Sequence, residues 1–361
     1  MAGQVVGDCL EALAASLLDV AGLLVVAGVR GFEAGLHAHA ARPALGQGEQ
    51  AGDVGGAGAG PWFAFGGDRW GPGVGGDLAD RSADGLGDVE ADGIEIDQLL
   101  AGPRALKEGR ELFVLAGWLS EILAWLAHDL GNPLTAWAYA VDCFEHADQA
   151  GHDELCGWAV DAMASIALHA DRPERAVSAA VRGLSRVSTS HPLAVRLHAQ
   201  ASRGQARLGN HGGFEEHFAK ADRLWNTLPG RTPSRPDGIE TGPLATYAMT
   251  AYTASSYIWL GEYELARRHA ESAVKAHENV PDSKRSPSRE AIARLDLGIA
   301  LANLGAVDEA VAAGVAALDS PRVVASVRAR AADLDLVLAT THPQAADEFR
   351  ARLAVVGQGA A

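Results

Sequence analysis

From Leu106 onward, apolar positions recur at spacings of three and four, as in Leu112, Leu115, Leu119, Ile122, Leu123 and Leu126. That period is the buried stripe of an amphipathic helix. The helical pattern runs on almost without interruption, broken by short turns led by Gly131, Asp171, Gly209, Gly261 and Gly305. Five, nine and twelve residues after these turns stand Ala136, Ala140, Cys143; Ala176, Ala180, Gly183; Phe214, Phe218, Ala221; Ala266, Ala270, Ala273; and Ala310, Gly314, Ala317. Spacings of four and three place each trio on one helix face. Small side chains there let a second helix sit close to its neighbours, and each helix pair must stack on the next to bury its apolar side. The pattern predicts an all-α chain of five to six helix pairs.

The first hundred residues follow no such period. They hold 22 of the 42 glycines, no lysine, 15 acidic residues and four basic ones, a local net charge of −11 against −16 for the whole chain. Gly46–Gly93 is a Gly/Asp/Ala-rich tract that includes GGAGAG at Gly55–Gly60 and GPGVGG at Gly71–Gly76. Such a stretch buries too little apolar surface to offset chain entropy. The expected organisation is a low-complexity, largely disordered N-terminal region over residues 1–95, or a misassigned start, followed by a helical repeat domain over residues 96–361.

Charge and chemistry narrow the function further. A strongly acidic chain does not offer a nucleic-acid surface over its whole length. The apolar run Leu10–Val29 contains Glu11 and Asp19 and follows no basic residue, so neither a signal peptide nor a spanning helix is expected. Cys9, Cys143 and Cys156 form no CxxC pair, which fits a reducing, cytoplasmic setting. The 13 histidines show no HExxH or clustered Cys/His spacing, and there is no GxSxG elbow or GxxxxGK phosphate loop. The reading assigns no catalytic residue, no metal site and no cofactor.

The repeating segment resembles the tetratricopeptide repeat family over about residues 106–355. Gly261-Glu262-Tyr263-Glu264-Leu265-Ala266 is similar to the family's turn and second-helix opening, and Leu297-Gly298 to its first-helix pair. The turn separations of 38 to 52 residues exceed the family's 34, and the third repeat has Phe where Ala is usual. The resemblance implies a right-handed helical-hairpin solenoid.

Three stretches, Arg110–Leu119, Ala127–Pro133 and Ala150–Leu155, are also similar to the sensor region of actinobacterial helix-turn-helix regulators of the XRE class. No helix-turn-helix is readable in this chain, whose only basic residues before position 100 are Arg30, Arg42, Arg69 and Arg81. The resemblance implies a ligand- or partner-sensing domain that binds a protein, a peptide or a small ligand, with homodimerisation a possibility. DNA becomes a partner only if a helix-turn-helix is encoded upstream. The alternative is a stand-alone repeat scaffold.

In a repeat array the first helix of each pair lines the concave groove. That register brings Arg196, Arg203, Arg207, His169 and Asn303 there as contacts for an acidic peptide or a carboxylate, against a plainer reading as a solvated face. His128-Asp129-Leu130-Gly131-Asn132-Pro133-Leu134-Thr135 resembles the phospho-acceptor box of sensor histidine kinases. No ATP-binding segments follow it, and Gly131 ending one helix with Pro133 starting the next is ordinary cap chemistry. A kinase or other enzyme fragment is the last of the three readings.

Overall fold

The structure, a computed structural model, describes residues 106–227, 248–279 and 286–359. The low-complexity region, the Leu10–Val29 run and the 95/96 boundary lie outside the described residues. Within them the chain is all-α, with twelve helices and no strand. They are α1 (Leu106–Asp129), α2 (Pro133–Ala150), α3 (Asp153–His169), α4 (Pro173–Leu184), α5 (Pro192–Arg207) and α6 (His211–Thr227). A single π-helical turn at Ala248–Tyr252 leads into α7 (Thr253–Trp259). Then come α8 (Tyr263–Glu278), α9 (Pro287–Asn303), α10 (Val307–Leu318), α11 (Ala325–Thr341) and α12 (Pro343–Gly359).

The helices pair as hairpins, and the five expected turn residues join the first five pairs. Gly131, Asp171, Gly209, Gly261 and Gly305 all have φ between 53° and 83°, the left-handed region open to glycine and tolerated by Asp. After each, the next backbone N–H donates to the carbonyl five residues back, as Asn132 does to Ala127 and Ala306 to Leu301. This satisfies carbonyls that the helix end leaves open. Asn132 then caps α2 by accepting from the Thr135 N–H, and Pro133 opens it. The HDLGNPLT segment is therefore a helix stop and start. The sixth hairpin turns through His342 at φ −145°, so no glycine marks it.

The small-residue trios are the buried seams of the even-numbered helices. Ala136, Ala140, Cys143, Ala176, Ala180, Ala266, Ala270, Ala310 and Ala317 are fully or almost fully buried. A β-carbon on Gly183 would stand 2.4 Å from Val160 Cγ2, and one on Gly314 would stand 2.6 Å from Leu334 and Phe349. In the third trio Phe214 and Phe218 stack on each other and both meet Tyr257 edge-on, and Phe218 also meets His269 edge-on.

The odd-numbered helices form an inner layer. Each packs on the next odd helix as well as on its own partner, and α11 also touches α1, so the array closes on itself. The core is nonetheless divided. One apolar cluster holds α1–α5 and another holds α9–α12. Two small clusters, around Ala199, Tyr252, Val274 and Ala293 and around Val195, Ala221 and Met249, lie between them. Among the described residues α1 is the one helix long and apolar enough to cross a membrane, and 67% of its most apolar window is buried inside the protein.

Candidate functional site

The polar side chains of the inner layer gather where the odd helices face one another. α3 is buried along nearly its whole length, Leu155–Leu168, and Asp161 is the one carboxylate in that run. A charge so placed needs a partner, and α5 supplies it: Arg196 Nε donates to Asp161 Oδ2 at 2.7 Å. Gln200 Nε2 reaches Asp161 Oδ1 at 3.1 Å and Ser165 Oγ at 2.5 Å. The same solution recurs on α9. Asp296, fully buried, accepts from Ser255 Oγ of α7 at 2.6 Å and from Arg330 Nε of α11 at 2.6 Å. One carboxylate thus ties three successive inner helices. Arg330 also donates to Asp333 at 2.9 Å.

Aromatic rings complete the cluster. The Arg203 guanidinium lies 4.2 Å from the centroid of Tyr252 and 5.8 Å from that of Trp259, and its Nη1 donates to Gln200 Oε1 at 3.0 Å. Arg207 and Arg330 approach the same Trp259 ring at 5.7 and 5.9 Å. A tryptophan face attracts a cation, and here one ring serves guanidiniums from α5 and α11.

Of the five expected groove residues, the structure brings Arg196, Arg203, Arg207 and His169 into one neighbourhood and gives them unequal parts. Arg196 is 3% exposed, bound to Asp161 and set against the Trp158 and Tyr252 rings, which is a packing role. Arg203 is 7% exposed. The Arg207 side chain is 41% exposed and paired with Asp171, the turn residue between α3 and α4, at 2.9 Å. Asn303 turns its amide back to Ile299 O of its own helix at 2.8 Å. A solvated arginine face does not describe Arg196 or Arg203.

His169 lies exposed at the end of α3, with Nδ1 2.9 Å from Ser165 O. Its ring meets that of buried His128, from the end of α1, at 4.6 Å between centroids, and His128 in turn meets Trp125 at 5.7 Å. Desolvation, then the charge of Arg203, pushes His169 down to about 4. Desolvation, then His169 and Arg203, holds His128 well below the usual histidine range. His128, the residue at the acceptor position of the kinase-like box, is 7% exposed, which is a poor place for phosphoryl transfer.

Beside it the array closes. Arg322, just before α11, donates to Asp129 of α1 at 2.7 Å, across 193 residues of chain. A β-carbon on Gly131 would stand 3.1 Å from Ala325 Cβ. Desolvation raises the Asp129 carboxyl from its ordinary value, and Arg322 and Arg289 oppose that shift.

Sequence reasoning passed over Tyr252, Trp259, Arg330, Asp161, Asp296 and His128 as members of this centre. A usable signal existed for two of them, since a lone acid inside a long apolar helical run marks a buried partner. Among the described residues no three His, Cys, Asp or Glu side chains converge in a way that would hold a metal ion. Comparison with protein-family models gives no match, and comparison with curated protein sequences gives none.

Proposed function

We propose that residues 106–359 form a tetratricopeptide-like solenoid that acts as a recognition domain, the sensing part of an XRE-class transcriptional regulator in the cytoplasm. The observation that carries this reading is the recurrence of one hairpin design, with a left-handed residue at each of five turns and buried small residues at fixed offsets behind them. A unit of that design buries its faces by stacking and leaves its inner face for a partner. The contact residues are Arg207, His169 and Trp259 at the rim, with Arg203 beneath them. Their chemistry suits the carboxylate of an acidic peptide or a small ligand, because a guanidinium fork binds carboxylate in bidentate fashion.

The reading is non-enzymatic, and it leaves the stand-alone scaffold as the second possibility. The test is to map the N-terminus of the native protein by intact mass and peptide sequencing, then to select DNA duplexes with that native chain. A helix-turn-helix segment and enrichment of one duplex sequence are the expected results. A native chain that begins at Met1 and enriches no duplex overturns the regulator and leaves the scaffold. At the contact site, Arg207→Glu is expected to weaken partner binding at least tenfold, and unchanged binding removes Arg207 from the site.

A further inference from the structure

α2 turns two faces toward its neighbours. One is the buried seam of Ala136, Ala140 and Cys143. One position further round the helix run Trp137, Val141, Phe144 and Asp148, at spacings of four, three and four, with Glu145 beside them. This second face borders a cavity of about 270 Å³ between α2 and α4, which Met163 of α3 and Arg182 of α4 also line. No residue of the Arg203–Trp259 cluster lines it.

The cavity joins an apolar surface to two opposite charges that the fold leaves open. Phe144 and Met163 are buried and Trp137 and Val141 half-buried, so the walls are largely hydrocarbon and aromatic ring. Asp148 is already engaged, because Arg186 donates to it and, at 3.4 Å, to Asp153. Arg182 is not. Its exposed guanidinium lies 3.8 Å over the Phe144 ring and forms no ion pair among the described residues. Stacking of this kind holds the plane of a guanidinium while its N–H edge stays available. Glu145 is exposed too and has neither an ion pair nor a hydrogen bond among the described residues. Arg175, 5.9 Å from the Trp137 ring, brings a second cation from α4.

We propose that this cavity binds an α-amino acid with an apolar side chain. The ligand's carboxylate accepts from the N–H edge of Arg182, where fork and carboxylate match in bidentate fashion. Its ammonium donates to Glu145, and its side chain lies against Trp137, Val141 and Met163. A simple anion would meet the charges of Glu145 and Asp148, and a simple cation those of Arg182 and Arg175. A zwitterion answers both signs at once. Apolar walls with a few placed polar groups are the usual make-up of a small-molecule site. The site lies apart from the inner face to which the recognition reading assigns its contacts, so it stands or falls without that reading.

The test is calorimetric titration of the full chain with L-leucine, L-methionine and L-phenylalanine. At least one should bind with a Kd of about 1 mM or tighter. L-Glutamate, and the analogues of the tightest binder that lack its ammonium or its carboxylate, should bind about tenfold more weakly or worse. Arg182→Gln and Glu145→Gln replace exposed side chains, should keep the native circular dichroism, and should each weaken binding about tenfold. Arg207→Glu, on the inner face, should bind as the native chain does. The proposal is overturned if none of the three amino acids binds at about 10 mM, or if L-glutamate or either analogue binds as tightly. It is equally overturned if a folded Arg182→Gln or Glu145→Gln keeps the native affinity, or if Arg207→Glu loses binding.

Discussion

Removing the Asp296 carboxylate is the sharpest probe of how the inner layer is held. In Asp296→Ala the Arg330 guanidinium, 11% exposed, keeps the Trp259 ring and, as its carboxylate partner, Asp333, whose side chain is 58% exposed. Ser255 Oγ retains its bond to Ala251 O at 3.2 Å, so the main loss is the buried charge left without its nearer partner. Breaking a buried pair from one side costs about 3–5 kcal/mol. In an array of this size each kcal/mol moves the melting temperature by about 2–4 °C, which predicts a fall of roughly 6–20 °C. The companion variant Asp296→Leu/Arg330→Met removes both charges, frees exposed Asp333 to water, and should lose no more than about 1–2 kcal/mol. The assay is urea unfolding followed by circular dichroism and by tryptophan fluorescence, with coincident curves required before a free energy is taken. If Asp296→Ala loses less than 1 kcal/mol, or if the double variant is no better than the single one, the carboxylate does not tie the helices as described.

Three further outcomes follow from the same geometry. Gly183→Ala and Gly314→Ala place a β-carbon against Val160 and against Leu334 and Phe349, so each should lose about 1–3 kcal/mol despite better helix propensity, whereas Gly212→Ala, whose β-carbon would meet only Asn210 Oδ1 at 3.9 Å, should gain up to about 1 kcal/mol; denaturant midpoints decide. Asn132→Ala should cost about 1 kcal/mol through its lost cap on α2, and a smaller effect than in Gly212→Ala would remove that cap from the account. His198, with its Nδ1 3.1 Å from that of His217, is pushed down to about 4 by desolvation and then by His217. Its contribution is therefore full above about pH 6.5 and falls as pH drops toward 4, by at most about 1.4 kcal/mol per pH unit; His198→Asn should flatten the slope of unfolding free energy between pH 7 and 5.

The hairpin design was legible because it is local. A residue that must adopt positive φ, and a small residue that must face a neighbouring helix, each leave a mark at a fixed offset, as Gly261 and Ala266 do. The same logic reaches a position that the offsets did not include. Seven residues before the five turns stand Ala124, Ala164, Ser202, Ala254 and Gly298, all buried, on the first helix of each pair. The sixth hairpin escaped the turn pattern because His342 turns without a left-handed residue. The polar centre was legible only as a stripe of arginines on α5. Arg196 of that stripe binds Asp161, 35 residues away, and Arg330 of α11 binds Asp296, 34 residues away, and no helical period connects them. The closure of α11 on α1 spans 193 residues and leaves no periodic trace at all.

That single distant contact also bears on how the chain reaches its native state. Nearly every other association joins helices adjacent or next-but-one along the chain, and such short-range contacts form quickly because little loop entropy is lost before they reward the chain. Hairpins can therefore nucleate within either apolar cluster and grow by neighbour addition. The Asp129–Arg322 junction can form only after both clusters and the bridge through α7 exist. Closing the ring is consequently expected late in folding, and it is expected to be the first contact that a pulling force or a rising denaturant concentration releases.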